Sequence, residues 1–313
     1  MKYSVPFILF FMAIWLTAVA CSPSQPDDPV GGQPVASIYE EFGYNHLHGL
    51  GYDADNERLL LASHFGLFAL TDDGLYQLGP SRDDLMGFSA HPDDPAVLYA
   101  SGHPQGGGNL GVIRSEDGGQ SWQQIFSGLE GETVDFHAMT VSPADPQRLY
   151  GAFQGRLYVT RDGGDSWQAA AAEGLPWQAG FCWGAPCLTA DPADPDLVYA
   201  GTAEGLYRSQ DGGESWSLLS DTAGAVASLA VDPQNNRRLL AHTERDGIAL
   251  SEDGGQSWQP RHEGIQLNEA EYAFVFTFHP RNPQILFLAT VGNQVYGSQD
   301  GGQTWQQLME GMR

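Results

Sequence analysis

The phrase Ser/Thr-x-Asp-Gly-Gly-x-Ser/Thr-Trp occurs five times in this chain, at 115–122, 160–167, 209–216, 251–258 and 298–305. Its central aspartates, Asp117, Asp162, Asp211, Asp253 and Asp300, are 45, 49, 42 and 47 residues apart. A weaker copy upstream, Gly66 to Gly74, places Asp72 a further 45 residues before Asp117. Self-similarity at a fixed period means one supersecondary unit repeated, each copy burying its apolar face against the next. The phrase itself predicts a tight turn. Paired glycines supply positive φ without Cβ strain, and the Asp and the first hydroxyl can accept turn amides. The Trp opens the next strand and can pack its ring between neighbouring units.

A period of roughly 40–50 residues suits a four-stranded propeller blade. Each repeat also carries a Pro/Asp cluster ahead of an apolar run, as in Asp191-Pro192-Ala193-Asp194-Pro195 before Leu197-Val198-Tyr199-Ala200. That cluster reads as a turn between two strands. Each unit then runs inner strand, Pro/Asp turn, apolar strand, third strand, octamer turn and outer strand. The fold class is all-β, a six-bladed β-propeller over residues 41–313, with 39–45 helping to seal the ring. A seventh, incomplete blade built from the N-terminal segment is the alternative. Ring closure removes sheet edges.

Residues 1–21 read as a signal peptide: a basic start, an apolar run and small residues before Cys21. The end of this segment resembles a bacterial lipobox, which implies lipidation of Cys21 and an exported lipoprotein of the cell envelope. Residues 22–40 are rich in Pro, Gly, Asp and Ser and read as a flexible tether. The remaining cysteines, Cys182 and Cys187, are expected to form a disulfide in an oxidising compartment. With 14 basic against 39 acidic residues the net charge is −25, which excludes nucleic acid as a partner. The expected partners are a membrane, through the N-terminal lipid, and a small ligand, glycan or protein at the propeller mouth. The chain is expected to be a monomer.

Propellers bind ligands at one end of the central channel, opposite the Pro/Asp turns. Aligning the blades on those turns sorts the nine histidines. One column holds His48, Met86 and His137 in blades one to three. A second, two residues upstream, holds His46, Asp84 and Asp135. A third, at the end of the second strand, holds His64 and His103. All of these fall on one mouth; His46, His48, His64, Met86, His103 and His137 form the candidate ligand-binding set, with His48, His64, His103 and His137 as candidate metal ligands. His91 and His279 fall in turns at the far end. Imidazoles with a thioether from Met86 or Met139 suit copper, and imidazoles alone suit zinc equally. With Asp84 and Asp135 the set suits acid/base chemistry instead.

The octamer resembles the Asp-box (BNR) repeat, which implies a structural role for its aspartates. His46-Leu47-His48-Gly49, Asp84-Leu85-Met86-Gly87, Ser101-Gly102-His103-Pro104 and Asp135-Phe136-His137 resemble bacterial envelope lipoproteins labelled glycosyl hydrolase-like. More remotely the repeats are similar to sortilin-type receptors, photosystem II assembly factors of the propeller type and exo-sialidases. Two functions follow as expectations. One is ligand or metal binding at the His-rich mouth. The other is glycoside hydrolysis of the exo-sialidase kind, with Asp84, Asp135 and Glu271 as candidate catalytic carboxylates and Arg82, Arg156 and Arg245 near the mouth.

Overall fold

The computed structural model describes residues 31–38, 46–129, 131–177, 180, 182, 187–220, 223–267 and 271–311. The expected signal peptide, Cys21, most of the tether and the sealing segment 39–45 lie outside these residues. Among the described residues no helix is long and apolar enough to cross a membrane.

The described chain is all-β, arranged as six blades. Blade three shows the plan. Ala138–Val141 is the inner strand, followed outward by Leu149–Phe153, Arg156–Thr160 and Gln168–Ala169, all antiparallel. The turn from inner to second strand is the Pro/Asp cluster. In blade four Asp191 accepts the amides of Ala193 and Asp194, at 2.8 and 3.1 Å. His91 and His279 do the same job in blades two and six. Each Nδ1 accepts two turn amides at 3.0–3.2 Å, so both rings are turn caps at the far end of the channel.

Each of the five octamers folds into one hydrogen-bonded turn. In blade four Asp211 accepts the Ser209 hydroxyl at 2.8 Å, the Ser215 amide at 2.9 Å and the Ser215 hydroxyl, while the buried Gly213 amide donates to Ser209 Oγ. Gly213 has φ +94°, and a Cβ there would meet Leu157 Cδ2 of blade three at 2.4 Å, so only glycine fits the turn against its neighbour. Trp216 crosses the same joint. It is buried with Tyr150, Leu157 and Val159 of blade three. Trp122, Trp167, Trp258 and Trp305 likewise pack onto the blade before their own. The weak copy in blade one keeps the turn but not the network: Thr71 and Gly74 pair across a two-residue hairpin.

Blade one has no octamer Trp, and its joint with blade six is built differently. Ile38, Leu50, Leu59, Leu61, Phe68 and Leu75 pack against Ala289, Val295 and Met309. Asn293 Oδ1 accepts the Leu47 amide at 2.9 Å, and Tyr52 stacks on Phe287. The tether expectation gives way in this region. Gly32–Val35 pairs antiparallel with the outer strand Gly74–Leu78, giving blade one a fifth strand. Residues 32–35 therefore extend blade one, and the described residues form six blades and no seventh.

The octamer carboxylates give a stability prediction. The Ser257 and Thr304 hydroxyls, with backbone amides, hold Asp253 and Asp300 down to about 2. Their stabilisation is complete above the unfolded value of about 3.9 and is lost as pH falls through about 2. The urea midpoint should therefore drop between pH 5 and pH 2. Asp211→Ala should lower stability at pH 7 by about 1–3 kcal/mol, the cost of stranding turn donors. A variant as stable as wild type in urea at pH 7 would remove the structural role.

Candidate functional site

The inner strands of blades one, five and six share an irregularity. Pairing skips one residue between Leu47 and Gly49, between Val226 and Ser228, and between Ala273 and Val275. The skipped residues are His48, Ala227 and Phe274. A bulge leaves one residue out of the ladder and re-aims its side chain. His48 and Phe274 line the central channel, which encloses about 510 Å³. His137, Met139 and the Cys182–Cys187 pair line it too, and prolines of the inner turns, including Pro92, Pro143 and Pro192, line its opposite end. The two cysteines form a disulfide, as expected, with Cα atoms 5.2 Å apart.

Blade two supplies the centre of the site. A two-residue ladder, Asp84–Leu85 with Gly102–His103, sets Asp84 directly opposite His103. Gly102 makes that approach possible, because a Cβ there would meet the Asp84 carbonyl oxygen at 2.0 Å. Blade three adds Asp135 and His137 on either side of the fully buried Phe136, whose amide donates to Ser101 Oγ at 2.9 Å. In blade one His64 sits in a tight loop closed by the Ser63 hydroxyl, which donates to the Gly66 carbonyl.

These side chains form one continuous array. His48 Nε2 lies 3.1 Å from Asp84 Oδ1, and His64 Nδ1 lies 3.0 Å from Asp84 Oδ2. His103 Nδ1 lies 3.2 Å from the same Oδ2, while its Nε2 lies 3.0 Å from Asp135 Oδ2. His137 Nε2 lies 2.6 Å from that oxygen. Two groups each present three ligand atoms within 4.8 Å of one another: His48, His64 and Asp84, and His103, Asp135 and His137. Burial pushes the Asp84 carboxyl up, but hydrogen bonds from His48 and His64 outweigh it and hold it well below the usual carboxylate range. Burial pushes the His48 ring down, against the pull of Asp84. His46 stands beside the first group, its ring 5.5 Å from that of His64, and its own value is lowered by burial and then by His64.

The carboxylates, proposed from sequence as acid/base groups, thus meet every candidate metal-binding imidazole. Met86 is buried and does not line the channel, whereas Met139 does. Glu271 lies in blade six against Gly292 and belongs to neither group. Of the arginines considered for a carboxylate-binding mouth, Arg82 directs its guanidinium to the Ser81 carbonyl, and Arg156 is exposed. Among the described residues the arginine lining the channel is Arg281, at the far end. His242, which no column singled out, is pushed down to about 4 by burial and accepts the Ala273 amide across the joint of blades five and six.

Fold and site together define a β-propeller whose mouth carries an imidazole–carboxylate array across three blades. Residues 204–313 match the sequence model of the Sortilin-Vps10 family (sortilin, neurotensin receptor 3). No curated protein matches the sequence. Among solved structures, the GH74 enzyme of Niastella koreensis is similar over 90% of this chain and 55% of its own, at 16% identity and a TM-score of 0.55. The GH74 xyloglucanase of Xanthomonas campestris is similar over 86% of this chain and 55% of its own, at 17% identity and a TM-score of 0.55. A putative gluconolactonase is similar over 87% of this chain and 91% of its own, at 15% identity and a TM-score of 0.59. At these identities the likeness is one of fold. The chain spans about half the length of the GH74 enzymes.

Proposed function

We propose that this chain is an exported, lipid-anchored propeller that binds a transition-metal ion at its mouth and presents it to a ligand or partner there. The observation that carries the reading is the pair of ligand groups in blades one to three. A tetrahedral ion with ligands at about 2.0 Å has ligand–ligand edges of about 3.3 Å, and most of the imidazole–carboxylate contacts lie at 3.0–3.2 Å. Asp135 Oδ1 is buried without a hydrogen bond, which suits a cation beside it. Nitrogen and carboxylate donors without a thioether favour zinc or oxidised copper over reduced copper. Two imidazoles and one carboxylate per group leave a coordination position for an outside ligand.

Glycoside hydrolysis is less well served by this arrangement. A general acid must hold its proton at working pH, and Asp84 is kept ionised. Calorimetric titration of chelator-treated protein with zinc and copper tests the metal reading. Wild type should bind. His48→Ala combined with His137→Ala should weaken binding by at least about 100-fold, whereas His91→Ala combined with His279→Ala should leave it unchanged. Wild type that takes up neither ion at pH 7.5 would return the mouth to an organic ligand, for which oligosaccharide binding is the next assay.

A further inference from the structure

Resting on the metal reading, we propose that the mouth holds two metal ions bridged by the single imidazole of His103. The two ligand groups lie on opposite edges of this ring. Nδ1 faces Asp84, which also meets His48 and His64, and Nε2 faces Asp135, which also meets His137. The ladder that pairs Asp84 with His103 fixes the ring between the groups.

Donor counting leaves two ways to satisfy both carboxylates, a proton on each ring nitrogen or a cation on each edge of the ring, and the bridge is the second. A neutral imidazole has one N–H and one lone pair, and a carboxylate only accepts. A neutral His103 therefore satisfies one of its two carboxylate neighbours and turns a lone pair toward the other. A cation on each edge resolves this. Each ring nitrogen becomes a ligand, and each carboxylate binds the ion rather than the ring. On binding the second ion the ring's remaining N–H proton passes to solvent, leaving an imidazolate between two divalent ions with no change of oxidation state. The first ion then has four protein ligands: His48, His64, Asp84 and His103. The second has three: His103, Asp135 and His137. His137 lines the channel, so the open position of the second ion faces the space a ligand would enter. Asp135 is 8% exposed with Oδ1 lacking a hydrogen bond, the state expected of an acceptor built for a cation. Across the ring the two ions stand about 6 Å apart, given metal–nitrogen bonds of about 2.0 Å. That is close enough for magnetic exchange between two copper ions through the bridging ring.

The test is metal stoichiometry together with low-temperature electron paramagnetic resonance of the full chain loaded with divalent copper. Two ions per chain and loss of the isolated-copper signal are expected, and His103→Ala should restore that signal for whatever copper it binds. Two ions with full, uncoupled signal would mean separate sites and overturn the bridge. One ion per chain would also overturn it, while leaving metal binding at the mouth intact. No ion at all would fail the metal reading itself. Because the decisive spectrum is that of wild type, a poorly folding His103 variant would not obscure the result.

Discussion

Asp84→Asn is expected to weaken metal binding at the mouth by more than about 100-fold. Loss of a group that merely orients a metal ligand costs about 10–100-fold, and Asp84 is placed to do more. Its two oxygens lie 3.0–3.2 Å from His48, His64 and His103, so among the described residues it is the side chain shared by three imidazoles. The amide keeps the size and one acceptor but loses the charge that balances the ion. It also presents N–H groups to rings that already donate. Competition against a chromophoric zinc chelator reads the change. An Asn variant within tenfold of wild type would show that Asp84 only orients the imidazoles.

Trp216→Ala carries the largest expected cost in stability, about 3–5 kcal/mol for truncating a buried aromatic. The ring is buried against Tyr150 and Leu157 of the preceding blade, and Nε1 donates to the Gly213 carbonyl at 3.1 Å. Trp258→Ala should cost less. Trp258 is only partly buried, and its indole nitrogen lacks a hydrogen bond. Urea unfolding monitored by circular dichroism decides between them, and equal losses would contradict the burial difference. Neither change should move metal affinity in the folded protein, because both rings lie outside the ligand groups.

The blades were legible in the sequence because one local device is written out five times. A Ser/Thr, an Asp and two glycines at fixed offsets specify the turn without tertiary help. The fifth strand of blade one was not legible. Gly32-Gln33-Pro34-Val35 has no alternation strong enough to mark a strand, and only the partner Gly74–Leu78 makes it one. The mouth was half legible. Counting back from the turns brought His48, His64, His103 and His137 to one face. It gave Met86 the same weight as His48, however, because counting assumes an unbroken inner strand. In blade two that strand is interrupted between Asp84–Leu85 and Ser89–Ala90, and Asp84 rather than Met86 meets the rings. The union of carboxylates and imidazoles was hidden for another reason. Asp84 meets His48 and His64 across the joint of blades one and two, and that contact depends on how two blades sit together.

The seam between blades six and one sets a condition on how the chain is made. Among the described residues no strand from one end completes a blade at the other: the described strands of blade one come from the N-terminal side and those of blade six from the C-terminal side. The apolar face of Leu50, Leu59, Leu61 and Phe68 therefore waits for Ala289, Val295 and Met309, more than 200 residues later in synthesis. A nascent sheet with such a face uncovered is prone to aggregate. Gly32–Val35 and Ile38 precede blade one in the chain, so they are on hand as soon as it folds. One takes its outer edge and the other, 1% exposed, packs into the same apolar cluster. The segment that sequence reads as a leash is thereby a temporary guard for the first blade, and becomes part of the lock when the last blade arrives.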